Sequence, residues 1–258
     1  MSEFKFNMKP RRVPVIKTKN RRIVTRIPVP ESLKIFNLLN KYESRSMHGQ
    51  LPVVWHRAED YKVMDPYGNC WIDFTSTIFV TNSGHSNPAI VTALKKMLDQ
   101  KLLHTYTFAH ETRVKFLKEL IDLTPAQFEK AFLLSAGTEA TECAVKLMRM
   151  YGQTICPTKI KIVSFQGSMH GRTMAAEMLK GYSVTSRWIG YHDPNIHHLP
   201  FPYPWSGNCE PIESYDWKKR FREDISALNA KGVQFKDIAG FIIESYLGWG
   251  AIFFPPDY

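Results

Sequence analysis

The sequence predicts an α/β fold: a mixed, mostly parallel sheet with helices on both faces, preceded by part of a small α+β domain. Three observations predict it. From Lys130 onward, apolar runs of strand length alternate with amphipathic stretches of helical period, the pattern of parallel strands joined by helical crossovers. Three of those runs end in a small-residue or glycine-rich turn, at Ser135-Ala136-Gly137, Gly167-Ser168 and Gly248-Trp249-Gly250. Ahead of residue 80, by contrast, short segments flank the turn signal Pro66-Tyr67-Gly68-Asn69 and read as a meander.

Taken in order, residues 1–30 form a basic extended arm, in which cations alternate with Val, Ile and Pro and no helical period emerges. Glu31 to Tyr42 reads as a short helix, with Leu33, Phe36 and Leu39 on one stripe widened by Ile35 and Leu38. Val53-Val54-Trp55 and Tyr61 to Phe74 make the meander, and residues 31–80 are the N-terminal segment of the small domain. Residues 81–258 begin the large domain. Its first helices are Asn87 to Leu102, opened by Asn-Pro, and His110 to Leu123, closed before Pro125. Strands follow at Phe132 to Leu134, Lys159 to Phe165 and Ile238 to Glu244, with a helix from Arg172 to Lys180. The proline-rich run from His198 to Trp205 has neither period and is expected to be an ordered surface excursion.

The chain has 258 residues, 44% hydrophobic and 22% charged, a composition that suits a soluble globular protein. No apolar run approaches the ~18 residues of a membrane span, and the N-terminus has no apolar signal core, so a cytoplasmic protein is expected. Cys70, Cys143, Cys156 and Cys209 form no Cys-x-x-Cys pair and read as free thiols. His192, His197, His198 and Cys209 match no common zinc spacing, so no metal is expected. The net charge of +10 is local: residues 1–30 hold nine of the 34 Lys and Arg and one of the 24 Asp and Glu. A near-neutral body therefore carries the arm, which argues for an arm lying on a partner subunit over nucleic-acid binding.

The stretch from Phe132 to Glu142 carries the most chemistry. A strand leading through a small-residue turn into a helix leaves unpaired N–H groups and the positive dipole end facing one point, where a phosphate can sit. Gly137 would let the ligand approach the backbone. Helix capping accounts equally well for Ser135, Thr138 and Glu139. In open α/β sheets ligands gather at the C-terminal strand ends, and Gly167-Ser168-Met169-His170-Gly171-Arg172-Thr173 and Glu244 to Gly250 occupy two more of them.

These three segments in this order, with Val63 to Phe74 and Gly84-His85-Ser86-Asn87-Pro88 upstream, resemble the class III aminotransferases of the ornithine and 4-aminobutyrate type, over about Val53 to Tyr258. The resemblance implies the fold type I scaffold of enzymes that use pyridoxal 5'-phosphate. It implies amino-group transfer between an amino acid or amine and a 2-oxo acid or aldehyde, by a homodimer. It places Gly137 and Thr138 on the cofactor phosphate, Met169 and His170 at the ring, and Glu244 nearby. Arg172 would meet a substrate carboxylate, with Ile78 and Trp249 on the substrate side.

The sequence departs from the family in several places. Met169 stands where an aromatic residue is usual, and a thioether can still lie against a ring. Ser245, Leu247 and Trp249 depart from the family's Glu-Pro-x-Gln-Gly-Glu-Gly run; with Trp249 in place of its second glutamate, the glutamate–arginine switch for dicarboxylates cannot operate. Trp249 and Phe79 point to a bulkier or less polar donor. The family's Schiff-base lysine has no counterpart here, so the chain resembles the N-terminal portion of a longer enzyme and is expected to be inactive alone. A decarboxylase or isomerase on the same scaffold, or a non-catalytic homologue binding a partner subunit or polyanion, are the alternative readings.

Overall fold

The computed structural model describes residues 6–44, 51–181, 184–202 and 215–258. They divide into two compact units, Met1–Arg113 and Val114–Tyr258. The proline-rich run from Tyr203 onward and Cys209 lie outside the described residues.

In the first unit, strands β1 (Ile16–Lys17), β2 (Arg22–Ile23), β3 (Arg57–Glu59), β4 (Lys62–Met64) and β5 (Cys70–Ile72) form an antiparallel sheet in the order β1-β2-β5-β4-β3. Of the expected meander, Tyr61 to Phe74 holds β4 and β5 on either side of the Pro66-Tyr67-Gly68-Asn69 turn, but Val53-Val54-Trp55 is not a strand and the third member is β3, which pairs with β4. Two strands of the basic arm extend the meander, because Arg22 pairs with Cys70. Asn69, almost fully buried, secures that junction: its Oδ1 accepts from the Val24 N–H at 2.8 Å, and its Nδ2 donates to Asp65 and Thr25. A buried amide satisfied on both ends holds register where two-residue strands supply few ladder bonds.

Helix α1 (Leu33–Tyr42) starts after a single 3-10 turn at Pro30–Ser32. The strand β5 leads into α2 (Ser76–Phe79), a short turn whose residues Ser76, Thr77, Ile78 and Phe79 all have positive φ, between 47° and 68°. Four L-residues in that region, two of them the β-branched Thr77 and Ile78, carry backbone strain of roughly 1–2 kcal/mol each. Asp73 opposes it. Its carboxylate accepts from the Thr75 and Thr77 N–H groups at 3.0 and 2.8 Å and lies 2.9 Å from His85 Nε2. Helix α3 (Pro88–Asp99) is capped by Asn87, whose side chain accepts from the Ala89 N–H, and α4 (Glu111–Asp122) carries the chain into the second unit.

The second unit holds α5 (Gly137–Ile155), β6 (Lys161–Phe165), α6 (Met174–Met178), β7 (Ile196–Leu199), α7 (Trp217–Ala230) and β8 (Ile238–Phe241). Its three-stranded sheet is parallel, in the order β7-β6-β8. Strand β6 is central, and Ile162 to Phe165 are all buried, as a strand covered on both faces requires. Ile162 packs with Val145 and Leu179 in one cluster; Val163 and Phe165 pack with Leu199, Leu228, Val233 and Ile238 in the other. Helix α5 lies tight on the sheet at Gly152, where a Cβ would overlap the Lys159 carbonyl and lie 3.1 Å from Ala239 Cβ. The chain closes with a hairpin, β9 (Tyr246–Leu247) and β10 (Ile252–Phe253).

Further expectations change. The run Phe132 to Leu134 is not a strand: no neighbouring strand pairs with it among the described residues, and its side chains are 68%, 45% and 42% exposed. Helix α6 starts at Met174, not Arg172, because Thr173 is extended at its N-cap. His197 and His198 belong to β7, not to a loop; burial lowers both pKa values, and His198 Nε2 lies 2.9 Å from the Met178 carbonyl.

Burial pushes the Asp73 carboxyl upward, but the bonds from His85, Thr75 and Thr77 outweigh it and leave the pKa at about 2, against 3.8 unperturbed. A carboxyl more acidic in the folded state contributes stability that is present above the unfolded value and lost as pH falls through the folded one. Thermal unfolding followed between about pH 5 and pH 2 is therefore expected to show the midpoint of wild type falling more steeply than that of Asp73→Asn, with the variant less stable at neutral pH. Parallel curves would remove Asp73 from this account.

Candidate functional site

Helix α5 begins in an unusual way. Its N-cap is Ala136, with φ −141° and ψ 156°, and no side chain caps the end. Ser135, read as a start signal, does not cap; instead Glu139 reaches back and accepts from the Ser135 N–H at 3.0 Å, half of a capping box. The N–H groups of Gly137 and Thr138 have no acceptor among the described residues. A Cβ placed on Gly137 would meet nothing within 4 Å, so the chain is open at the first of these residues.

The turn after β6 is packed against that helix end. Thr138 Oγ1 lies 2.7 Å from Thr173 Oγ1 and accepts from the Thr173 N–H. One turn on, Glu142 Oε1 accepts from the Thr173 hydroxyl at 2.6 Å and from the Ala175 and Ala176 N–H groups. That carboxylate satisfies the first donors of α6, which has no side-chain cap of its own. Thr141 donates to the His170 carbonyl at 2.8 Å. Thr138, Thr141 and Glu142 lie on one face of α5 at three- and four-residue spacing, and Val145 one turn further on enters the core. Sequence alone assigns Thr141, Glu142 and Thr173 no role; for Thr141 and Glu142 the signal is the helical spacing from Thr138, and for Thr173 its place at the end of the motif that starts at Gly167.

Gly171 makes the approach possible. Its φ is +138°, and a Cβ there would overlap the Thr138 hydroxyl and lie 2.9 Å from Ala176 Cβ. His170, just before it, is half-buried with Nε2 3.2 Å from Ser164 Oγ. Burial lowers its pKa, His198 lowers it further and Glu244 partly opposes them, so the imidazole is neutral at physiological pH. Arg172 is exposed and makes no hydrogen bond or ion pair among the described residues.

Strand β8 is shorter than expected, so Glu244 stands beyond it. Its Oε1 accepts from the Met169 N–H at 2.7 Å, and its Oε2 from the Gly248 N–H at 3.1 Å. Trp249, at the tip of the β9–β10 hairpin, donates its indole N–H to the Gly167 carbonyl at 3.0 Å. The structure thus sets two bonded groups on the turn after β6: the start of α5, with Gly137 and Thr138, bonds to His170 and Thr173, and Glu244 and Trp249 bond to Met169 and Gly167, with Arg172 next in sequence. Ile78 belongs to α2 of the first unit, its side chain 64% exposed.

These residues fit a phosphate-bearing ring cofactor. Two orphan N–H donors at an uncapped helix start suit a phosphate, and the open space at Gly137 admits it. The exposed Met169 thioether offers an apolar wall, and the neutral His170 adds no competing charge. Among the described residues, no group of three or more potential metal ligands gathers.

The profile of the aminotransferase class-III family matches residues 43–258. The ornithine aminotransferase of Saccharomyces cerevisiae is 31% identical over 221 residues, 84% of this chain and 48% of that protein. The 4-aminobutyrate aminotransferase of Mycobacterium leprae is 31% identical over 92% of this chain and 53% of its own length. Among solved structures, an (S)-enantioselective omega-transaminase from Thermomicrobium roseum superposes with a TM-score of 0.77 at 22% identity, covering 89% of this chain and 52% of that one. The taurine:2-oxoglutarate aminotransferase of Bifidobacterium kashiwanohense, solved with PLP and glutamate, gives 0.75 at 23%, covering 88% and 51%. The chain thus spans about half the length of the relatives it matches.

Gly171→Ala is expected to cost about 1–3 kcal/mol in urea unfolding, because the added methyl forces Thr138 away and breaks its contact with Thr173. A change within roughly 0.5 kcal/mol, the range of an ordinary surface substitution, would show that the close approach carries no packing energy.

Proposed function

Since this chain belongs to the class III aminotransferase family, we propose that it contributes the cofactor-phosphate and ring-facing parts of a pyridoxal 5'-phosphate-dependent aminotransferase. The observation that carries the reading is the pair of N–H groups at Gly137 and Thr138, without an acceptor among the described residues, at an uncapped helix start that is open at Gly137 and packed against the turn of His170 to Thr173. When bound, the cofactor supplies an electron sink that loosens the bonds at a substrate Cα. The chain's own residues bind and orient it. Gly137 and Thr138 hold the phosphate through backbone N–H groups, aided by the α5 dipole. Met169 lies against the ring, and Glu244 fixes the Met169 backbone. His170 stays neutral beside the ring, because protonation inside a half-buried site is disfavoured.

Arg172 is the substrate residue in this reading. Its exposed guanidinium, without a partner among the described residues, offers two parallel donors to the carboxylate of an amino acid or 2-oxo acid. Trp249 gives the substrate side an apolar character, which favours a donor less polar than a dicarboxylate. The whole protein is proposed to be a cytoplasmic homodimer. Support comes from the apolar side chains exposed in each unit and from Cys70, Cys143 and Cys156, which are free thiols.

Gly137→Val tests the cradle. The added side chain meets no protein atom with its Cβ, so folding is expected to hold while it obstructs the space over the donors. The expected outcome is a loss of at least roughly tenfold in affinity for pyridoxamine phosphate, the worth of about one charge-assisted hydrogen bond, with an unchanged unfolding midpoint. Unchanged affinity would remove the cradle. In the whole protein, Arg172→Ala is expected to lower kcat/KM for a carboxylate substrate by the equivalent of about 2 kcal/mol, the low end for a broken charge pair because the guanidinium is exposed. Arg172→Lys should recover little, and an amine without a carboxylate should be spared. Equal losses for both substrates would make Arg172 structural.

A further inference from the structure

Glu244 and Trp249 grip the same turn from one side. Glu244 takes the Met169 N–H, Trp249 gives its indole N–H to the Gly167 carbonyl, and the Gly248 N–H returns to Glu244, so the residues between close a ring of bonds. Gly167 itself has φ +83° and is held from behind by its N–H to the Lys180 carbonyl at 3.0 Å. Its neighbour Ser168 is buried, whereas Met169 points outward, with its side chain half exposed. An unbranched thioether has three soft torsions and does not fix its own position. What fixes it is the backbone on either side, held by the 244–249 segment.

We propose that Trp249 is a positioning residue, which clasps the turn Gly167–Met169 and so sets the Met169 wall against the cofactor ring, without contributing to the phosphate cradle. This rests on the cofactor reading above. The indole is 67% exposed and its ring is not part of either buried cluster, so its N–H and not its packing supplies the function. The role needs a donor at this position: an acidic side chain at 249 would have no N–H to give to a carbonyl. The cradle is held separately, by Thr138, Thr173 and Glu142, none of which bonds to the 244–249 segment.

The test compares wild type, Trp249→Phe, which keeps a ring and loses the N–H, and Trp249→Ala. Amide hydrogen exchange at Met169 is measured first on the ligand-free chain. Affinity for pyridoxamine phosphate and for inorganic phosphate follows. The clasp predicts that both variants speed Met169 exchange roughly three- to tenfold, the scale of one neutral hydrogen bond. It predicts a similar loss of affinity for pyridoxamine phosphate and none for inorganic phosphate. Unchanged exchange in both variants would overturn the proposal, as would equal losses for the two ligands, since that pattern means general loosening. If wild type binds neither ligand while exchange still quickens, the clasp stands and the cofactor reading falls.

Discussion

The site depends on how closely helix α5 meets the turn after β6. At Gly171 no side chain intervenes, so the Thr138 and Thr173 hydroxyls touch and Glu142 can satisfy the start of α6. The geometry has a cost, because it leaves the start of α5 uncapped while spending a carboxylate on a neighbouring helix. An uncapped helix end is less stable by about 1 kcal/mol than one capped by serine. An anion at that end would recover the deficit through the α5 dipole and the N–H groups of Gly137 and Thr138.

The second organising feature is that strand ends, not strand interiors, are tied together. β6 is buried on both sides and gives the site a rigid floor, while the segments beyond β6 and β8 are joined by side chains bonded to backbone: Glu244 to Met169 and Gly248, Trp249 to Gly167. Backbone-directed bonds of this kind place loops without demanding particular side chains on them. Met169 is consistent with such an arrangement, since a turn held from behind tolerates a softer residue facing the ligand.

Much of this was legible in the sequence. The alternation after Lys130 yields the parallel sheet, and the order of three turn motifs points to the family that the profile and the relatives bear out. The strand at Phe132 to Leu134 was misread because an apolar run reports burial in some context, not the presence of a pairing partner; here its side chains stand exposed. The left-handed turn at Ser76 to Phe79 was invisible, since none of its residues favours positive φ and the bonds that impose it come from Asp73. The roles of Thr141 and Glu142 were missed for a related reason: a threonine and a glutamate on an exposed-looking helix face carry no local mark of the loop they will meet.

The most direct test of the central claim is to follow backbone amide resonances while inorganic phosphate, and then pyridoxamine phosphate, is added to the chain. The account predicts that the Gly137 and Thr138 amides shift furthest with both ligands, that the two compete, and that Met169 responds only to the ligand with a ring. Shifts confined to the basic strands at Lys17 and Arg22, with Gly137 and Thr138 unmoved, would contradict it.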